Sequence, residues 1–193
     1  MSELSCSELY EFLAQRRSAS ILNEPKPGRD ALEKILQVAG TVPDHGSLKP
    51  YRFAVVEGDA RDRFGEALVN AADENRGSPL ESSAKTKIKA KAFAAPLQIL
   101  IIFSPVESGK VPQWEQMASA SCTGYAIGLA ANALGFGAVW KSFGYDPGSA
   151  LKSLLKLKPD EKLLGWVNLG TEKERDRAKR DRLDLDHHAL FLK

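Results

Sequence analysis

Between Gln116 and Trp140 the chain carries no charged side chain at all. A stretch of this length can span a bilayer. Here it is diluted by Asn132, several serines and a threonine, and Gly135 and Gly137 interrupt its end. Strongly apolar side chains are too sparse for a membrane span, so the segment reads as a buried helix over 113–134 and the start of a strand. A helix without a charged face must be covered on most sides. That demand points to a layered protein with a substantial core, or to a second subunit.

The remaining pattern supplies the layers. Leu9, Phe12 and Leu13 are spaced for a helix over 5–15, and Leu32, Ile35, Leu36 and Ala39 for another over 29–39 behind Pro27 and Gly28. "TVPDHGSLKP" holds two prolines and is a turn region. "YRFAVVEG" reads as a strand, followed by polar-faced helices over 60–74 and 80–93 that "NRGSP" separates. "PLQILIIF", 96–103, is apolar almost throughout, the signature of a strand covered on both faces. "FGAVWKSF" and "KLLGWVNLG" are two further strands with a short helix near 148–155 between them. Strands separated by helices predict a three-layer α/β or α+β domain. The expected organisation is one domain over 1–193 with a charged C-terminal arm from about 171.

Composition narrows the function. The 193 residues include 43% hydrophobic and 27% charged side chains, with a net charge of +2. This is ordinary for a soluble chain and too balanced to favour DNA or an anionic membrane. Cys6 and Cys122 are far apart, fit no metal or redox spacing, and suit a reducing cytoplasm. No export signal is visible at the start.

The common motifs are absent or bland. "GFGAVW" leaves a helix and enters a strand, the reverse of a dinucleotide fingerprint. His187 and His188 are adjacent and read as a solvated pair, so no metal site is expected. Cys122 reads as a packing residue, and the lysines of "KTKIKAK", 85–91, as solvated surface. Gly124 and Gly128 allow a backbone to approach closely, in the same chain or in another. Arg16 and Arg17, at the end of the first helix, are either a solvated terminus or a clamp for an anion.

Three segments in order point further: "RRSAS", "PDHGSLKPYRFAVVEG" and "ALGFGAVWKS". Together they resemble the nitroreductase family of FMN-dependent oxidoreductases, in its small single-domain branch, from about residue 8 to about 170. The resemblance implies an α+β, nitroreductase-like three-layer sandwich, a central mixed sheet flanked by helices, in an intertwined homodimer with FMN at the subunit interface. It implies NADH or NADPH as donor and a small acceptor such as a nitroaromatic or quinone. Arg16, Arg17 and Ser18 match the segment that holds the FMN phosphate and ribityl chain. Thr41 and His45 match positions that approach the partner's flavin, and Trp140, Lys141 and Ser142 match the far side of the site. Guanidinium forks suit a phosphate dianion.

The chain departs from the family pattern in places. Ser20 and Ile21 stand where many members are basic, Thr41 where arginine is frequent, Lys49 for a glutamine and Tyr51 for a tryptophan. Lys141 or an arginine of the tail would then supply the missing charge. His45 is the one visible candidate for a general acid, with Asp44 placed to bias its protonation, or else a turn residue that caps the following segment. The alternative reading is a flavin-binding or regulatory protein with little turnover.

Overall fold

The computed structural model describes residues 5–173 and 183–192. In chain order the elements are α1 (Cys6–Ala14), β1 (Leu22–Asn23), α2 (Arg29–Ala39), β2 (Tyr51–Glu57), α3 (Ala60–Arg76) and α4 (Ser82–Lys89). They continue with β3 (Leu97–Phe103), α5 (Gln113–Ala133), β4 (Gly137–Ser142), α6 (Gly148–Leu155), β5 (Lys162–Glu172) and α7 (Leu185–His188). Single 3-10 turns occupy His45–Ser47 and Ala90–Phe93. The chain divides into two compact units, Met1–Arg16 with Glu174–Lys193, and Arg17–Lys173.

In the first unit α1 opens on a capping box. The Ser5 hydroxyl accepts from the Glu8 N–H, and the Glu8 carboxylate accepts from the Ser5 N–H at 2.8 Å. Its apolar stripe is uncovered: Leu9, Tyr10 and Leu13 are all exposed. Much of the expected charged arm lies outside the described residues. Its end bears α7, where His187 and His188 are exposed and stack edge to face.

The second unit is built on one sheet with the strand order β1-β5-β3-β2, and β4 also pairs with β5. Every pair is antiparallel, which corrects the expected mixed sheet. The reason is topological. β2 and β3 are linked by the out-and-back pair α3 and α4, so Leu97 starts beside Glu57, where β2 ended. β3 and β4, linked by the single helix α5, do run in the same direction. They are not neighbours, because β5 lies between them and is antiparallel to both. β5 also reaches Glu172, pairing with β1, so residues 171 and 172 belong to the sheet and not to the arm.

β3 is buried along its whole length, as its continuous apolar run requires. Leu97, Ile99 and Ile101 pack with Leu32 and Ile35 of α2 and Ile127 of α5. Leu100 and Ile102 pack on the opposite side with Phe64 and Leu68 of α3 and Leu151 of α6. Three layers result, as the alternation of helices and strands predicts. Within this core, Gln98 of β3 donates to the Asn168 side chain of β5 at 2.8 Å, crossing from strand to strand. None of the described helices is long and apolar enough to cross a membrane.

Candidate functional site

A cleft of about 540 Å³ opens where the end of β4 meets β5 and the C-terminal part of α4. Its lining includes Trp140, Lys141 and Ser142 of β4, Trp166 and Asn168 of β5, and Lys87 and Lys91. The volume is within the range that holds a cofactor or drug-sized ligand. Trp166 and Asn168 are almost fully buried, and the Trp166 indole N–H has no hydrogen-bond partner. Among the described residues nothing accepts from that buried donor, which leaves it at a cost in free energy.

The helix α5 seats β4, the strand that borders this cleft, through a missing side chain. A Cβ on Gly124 would overlap the six-membered ring of Trp140. The indole is therefore held against bare backbone on the α5 side of the sheet, half-buried. The small residue at 124 thus serves packing inside the chain. Gly128 has only the Ala138 Cβ nearby, at 4.0 Å.

The lysines of "KTKIKAK" divide into two faces, a distinction that alternate spacing along the sequence conceals. Lys85 pairs with Asp73 at 2.8 Å, and Lys89 with Glu66 at 2.6 Å. These bonds tie α4 to α3, although exposed pairs of this kind contribute little each. Lys87 and Lys91, one turn apart, line the cleft with Lys141. Among the described residues, none of the three has an ion-pair partner and no carboxylate lines the cleft. Lys87 and Lys91 are exposed, as solvated surface predicts, and both also border the cleft. A larger cavity of about 1010 Å³, lined by Phe143, Tyr145, Asp146 and Glu161, differs in kind, because its acids are already engaged by Lys152 and Arg52.

The remaining candidate residues lie elsewhere. Arg16 ends the first unit, and Arg17 and Ser18 begin the second; both arginines are half-buried and Ser18 is exposed. The Ala19 N–H that follows donates to the Ala138 carbonyl at 2.9 Å, fastening this segment to the start of β4. Thr41 and His45 are exposed and do not line the cleft within one chain. Thr41 donates its hydroxyl to the Val38 carbonyl at 2.8 Å, closing the end of α2.

His45 corrects a sequence expectation. Its Nδ1 lies 2.8 Å from the Glu115 carboxylate in the first turn of α5. Asp44 is otherwise occupied, accepting from the Lys49 N–H at 2.6 Å. Only the folding of a residue 70 positions away could supply this partner. The loop is also strained, since Ser47 and Lys49 both have positive φ, at 53° and 49°. Non-glycine residues in this region cost about 1–3 kcal/mol each and concentrate at functional segments. Beside it, the Tyr51 hydroxyl is buried without a partner, and burial, then the Asp44 charge, pushes its pKa up.

Cys122 is also corrected. It lies on the exposed side of α5 and not in the packed interior. That side carries Trp114, 71% exposed, and Tyr125, 54% exposed, with Ala118 and Ser121. Among the described residues no cluster of histidine, cysteine and carboxylate side chains is arranged for a metal.

Comparison with known proteins adds the lineage. Residues 13–171 match the sequence model described as the nitroreductase family. YdjA of Escherichia coli (strain K12), provisionally named an NAD(P)H nitroreductase, is 38% identical over 164 residues, covering 85% of this chain and 88% of YdjA. A Haemophilus influenzae protein with the same provisional activity is 35% identical, covering 94% of this chain and 97% of its own. Among solved structures, a nitroreductase-like protein of Bacillus cereus superposes with a TM-score of 0.80 at 19% identity, covering 100% of this chain and 98% of that one. The FMN-dependent nitroreductase NfnB of Mycobacterium smegmatis, solved with NADPH, gives 0.71 at 16% identity, covering 96% and 98%.

Proposed function

The chain belongs to the nitroreductase family, and on that premise we propose that it is an FMN-dependent oxidoreductase passing electrons from NADH or NADPH to a small acceptor such as a nitroaromatic or quinone. The observation that carries this reading is the cleft of about 540 Å³ at Trp140–Lys141–Ser142, where cationic side chains gather without a carboxylate among the described lining residues. Those groups fit a flavin. Its ring is planar and apolar across the middle, and its pyrimidine edge bears carbonyls that accept hydrogen bonds. Lys141 and Ser142 offer donors to those carbonyls, and Trp140, packed between them and α5, fixes the strand that carries them. FMN supplies the redox chemistry when bound.

The protein's own residues bind and orient. Arg16, Arg17 and Ser18 are assigned to the phosphate and ribityl chain, where guanidinium forks match a dianion. Lys141 would supply positive charge at the cleft, which would favour a bound group of higher electron density. No side chain at the cleft is itself redox-active.

The reading includes a homodimer. Residues with no charge and large exposed area, Trp114 and Tyr125, line the outer face of α5. A second copy of the chain covers them, and Thr41 and His45 then reach the flavin of the other subunit. Tyr125→Lys is expected to shift the protein toward monomer in sedimentation and to lower flavin occupancy in the same sample. A wild-type monomer holding a full complement of FMN overturns the shared site.

The direct test is simple. The purified protein is expected to be yellow and to release FMN, not FAD, on denaturation. Arg16→Ala should weaken FMN binding by about 1.5–3 kcal/mol, the range for a hydrogen bond to a charged group. A colourless protein that takes up no FMN on titration overturns the proposal. Bleaching of the bound flavin by NADH or NADPH separates an enzyme from a flavin carrier.

A further inference from the structure

Positive charge at the cleft exceeds what one flavin uses. Lys87, Lys91 and Lys141 converge there, with no carboxylate in the lining and no ion-pair partner among the described residues. The contrast with Lys85 and Lys89 on the same helix is direct, because those two are neutralised by Asp73 and Glu66. Like charges gathered without counterions repel one another, and the repulsion is relieved when a ligand brings negative charge. A single cation would suffice for the flavin at this cleft, and Lys141 would provide it. Lys87, on α4 at the rim and exposed, remains for something else.

We propose that the lysine rim selects electron acceptors carrying a carboxylate or similar anionic group, with Lys87 as a specificity-determining residue. This rests on the flavin reading above. The acceptor's ring would lie in the cleft beside β4, and its acid group would meet the Lys87 ammonium. For a nitrobenzoate, the nitro group takes two electrons and two protons, forming a nitroso group and releasing water. NADH or NADPH is the reductant, acting through the flavin, and leaves as the oxidised nucleotide. The carboxylate takes no part in this exchange and only holds the ring in place.

The test compares ligands of similar size that carry or lack an anionic group, in the FMN-loaded protein. Benzoate and benzamide are titrated while the flavin absorbance and the fluorescence of the cleft tryptophans are followed, so affinity is read without turnover. kcat/KM is then measured with 4-nitrobenzoate and with 4-nitrobenzyl alcohol. Wild type is expected to favour the anion in both assays. Lys87→Gln should reduce that preference about fivefold, the upper range for an exposed charge pair, without changing FMN affinity. Lys85→Gln, the same charge change on the other face of α4, should leave the preference as in wild type.

Equal affinities for benzoate and benzamide in wild type overturn the inference alone. So does an equal loss in the two lysine variants, which would mean general steering by net charge. A Lys87→Gln protein whose main defect is FMN release also overturns it, reassigning this lysine to the cofactor. Failure of wild type to take up FMN overturns the flavin reading, and this inference with it.

Discussion

Replacing Gly165 with alanine is expected to destabilise the protein by about 2–6 kcal/mol, the sum of a strained backbone and an overpacked contact. Gly165 has a φ of 140°, a conformation that side chains rarely adopt. Its missing Cβ points at backbone: the Lys141 carbonyl oxygen, with the Ser142 Cα at 2.9 Å. A flexible side chain could swing away, but paired strands cannot. Ser142 is the β4 residue directly opposite Gly165, so relief of the clash means parting β4 from β5 at the cleft. Thermal or urea denaturation measures the loss of stability. Flavin titration of whatever remains folded should show weakened uptake as well. A Gly165→Ala protein of wild-type stability and wild-type flavin affinity would contradict this account of the strand junction.

The second large effect is expected at Arg52. Its guanidinium makes a two-pronged contact with Glu161, Nε to Oε1 at 2.7 Å and Nη2 to Oε2 at 2.6 Å. It also donates to the Leu155 carbonyl at 3.0 Å. The Glu161 side chain is fully buried, while that of Arg52 is 35% exposed. Arg52→Ala strands a carboxylate in the protein, at a cost of about 3–5 kcal/mol for one partner of a buried pair. The partly exposed arginine and the Lys158 N–H, which still donates to Glu161 at 2.9 Å, place the expectation at the lower end.

The same pair gives a pH dependence with a definite sign. The Arg52 hydrogen bonds hold the Glu161 carboxyl at about 2, against an ordinary value of 4.5, while burial alone would raise it. A depressed carboxylate pKa contributes stability that is fully present above the unfolded value. That contribution is lost as pH falls from about 4.5 toward about 2. Denaturation midpoints recorded through this window should therefore fall in wild type. In Arg52→Ala the part of the slope due to this pair should largely vanish, and an unchanged slope would assign acid sensitivity to other groups.

Much of the architecture was legible as local pattern. The apolar period of 29–39, the turn residues of 41–50 and the unbroken apolar run of 97–103 each report a neighbourhood of a few residues. Those neighbourhoods hold α2, the His45 turn and β3. β1 was not legible, because two residues have no period to read and owe their strand character to pairing with Glu172 and Thr171. The direction of the sheet escaped for a similar reason. A helix between two strands suggests parallel neighbours, and nothing local to β3, α5 or β4 says that β5 will come between them.

At the candidate site the division follows the same line. Residue types and order were enough to single out the arginine pair, His45 and the Trp140–Ser142 segment, because side-chain chemistry is carried by each residue wherever it folds. What surrounds them depends on contacts between distant parts of the chain. Glu115, not adjacent Asp44, became the partner of His45 once α5 docked beside the turn. Acids on α3 neutralised Lys85 and Lys89 and left Lys87 and Lys91 to the cleft. Gly124, legible only as a place where some backbone could approach, was matched to the Trp140 ring by the packing of α5 on β4. By itself the sequence determined which groups the protein possesses and the local segments that carry them. Only the tertiary structure decided which charges are cancelled, which donors are left without acceptors and which surfaces meet, because hydrogen bonds, ion pairs and van der Waals contacts act over a few ångströms of space, irrespective of separation along the chain.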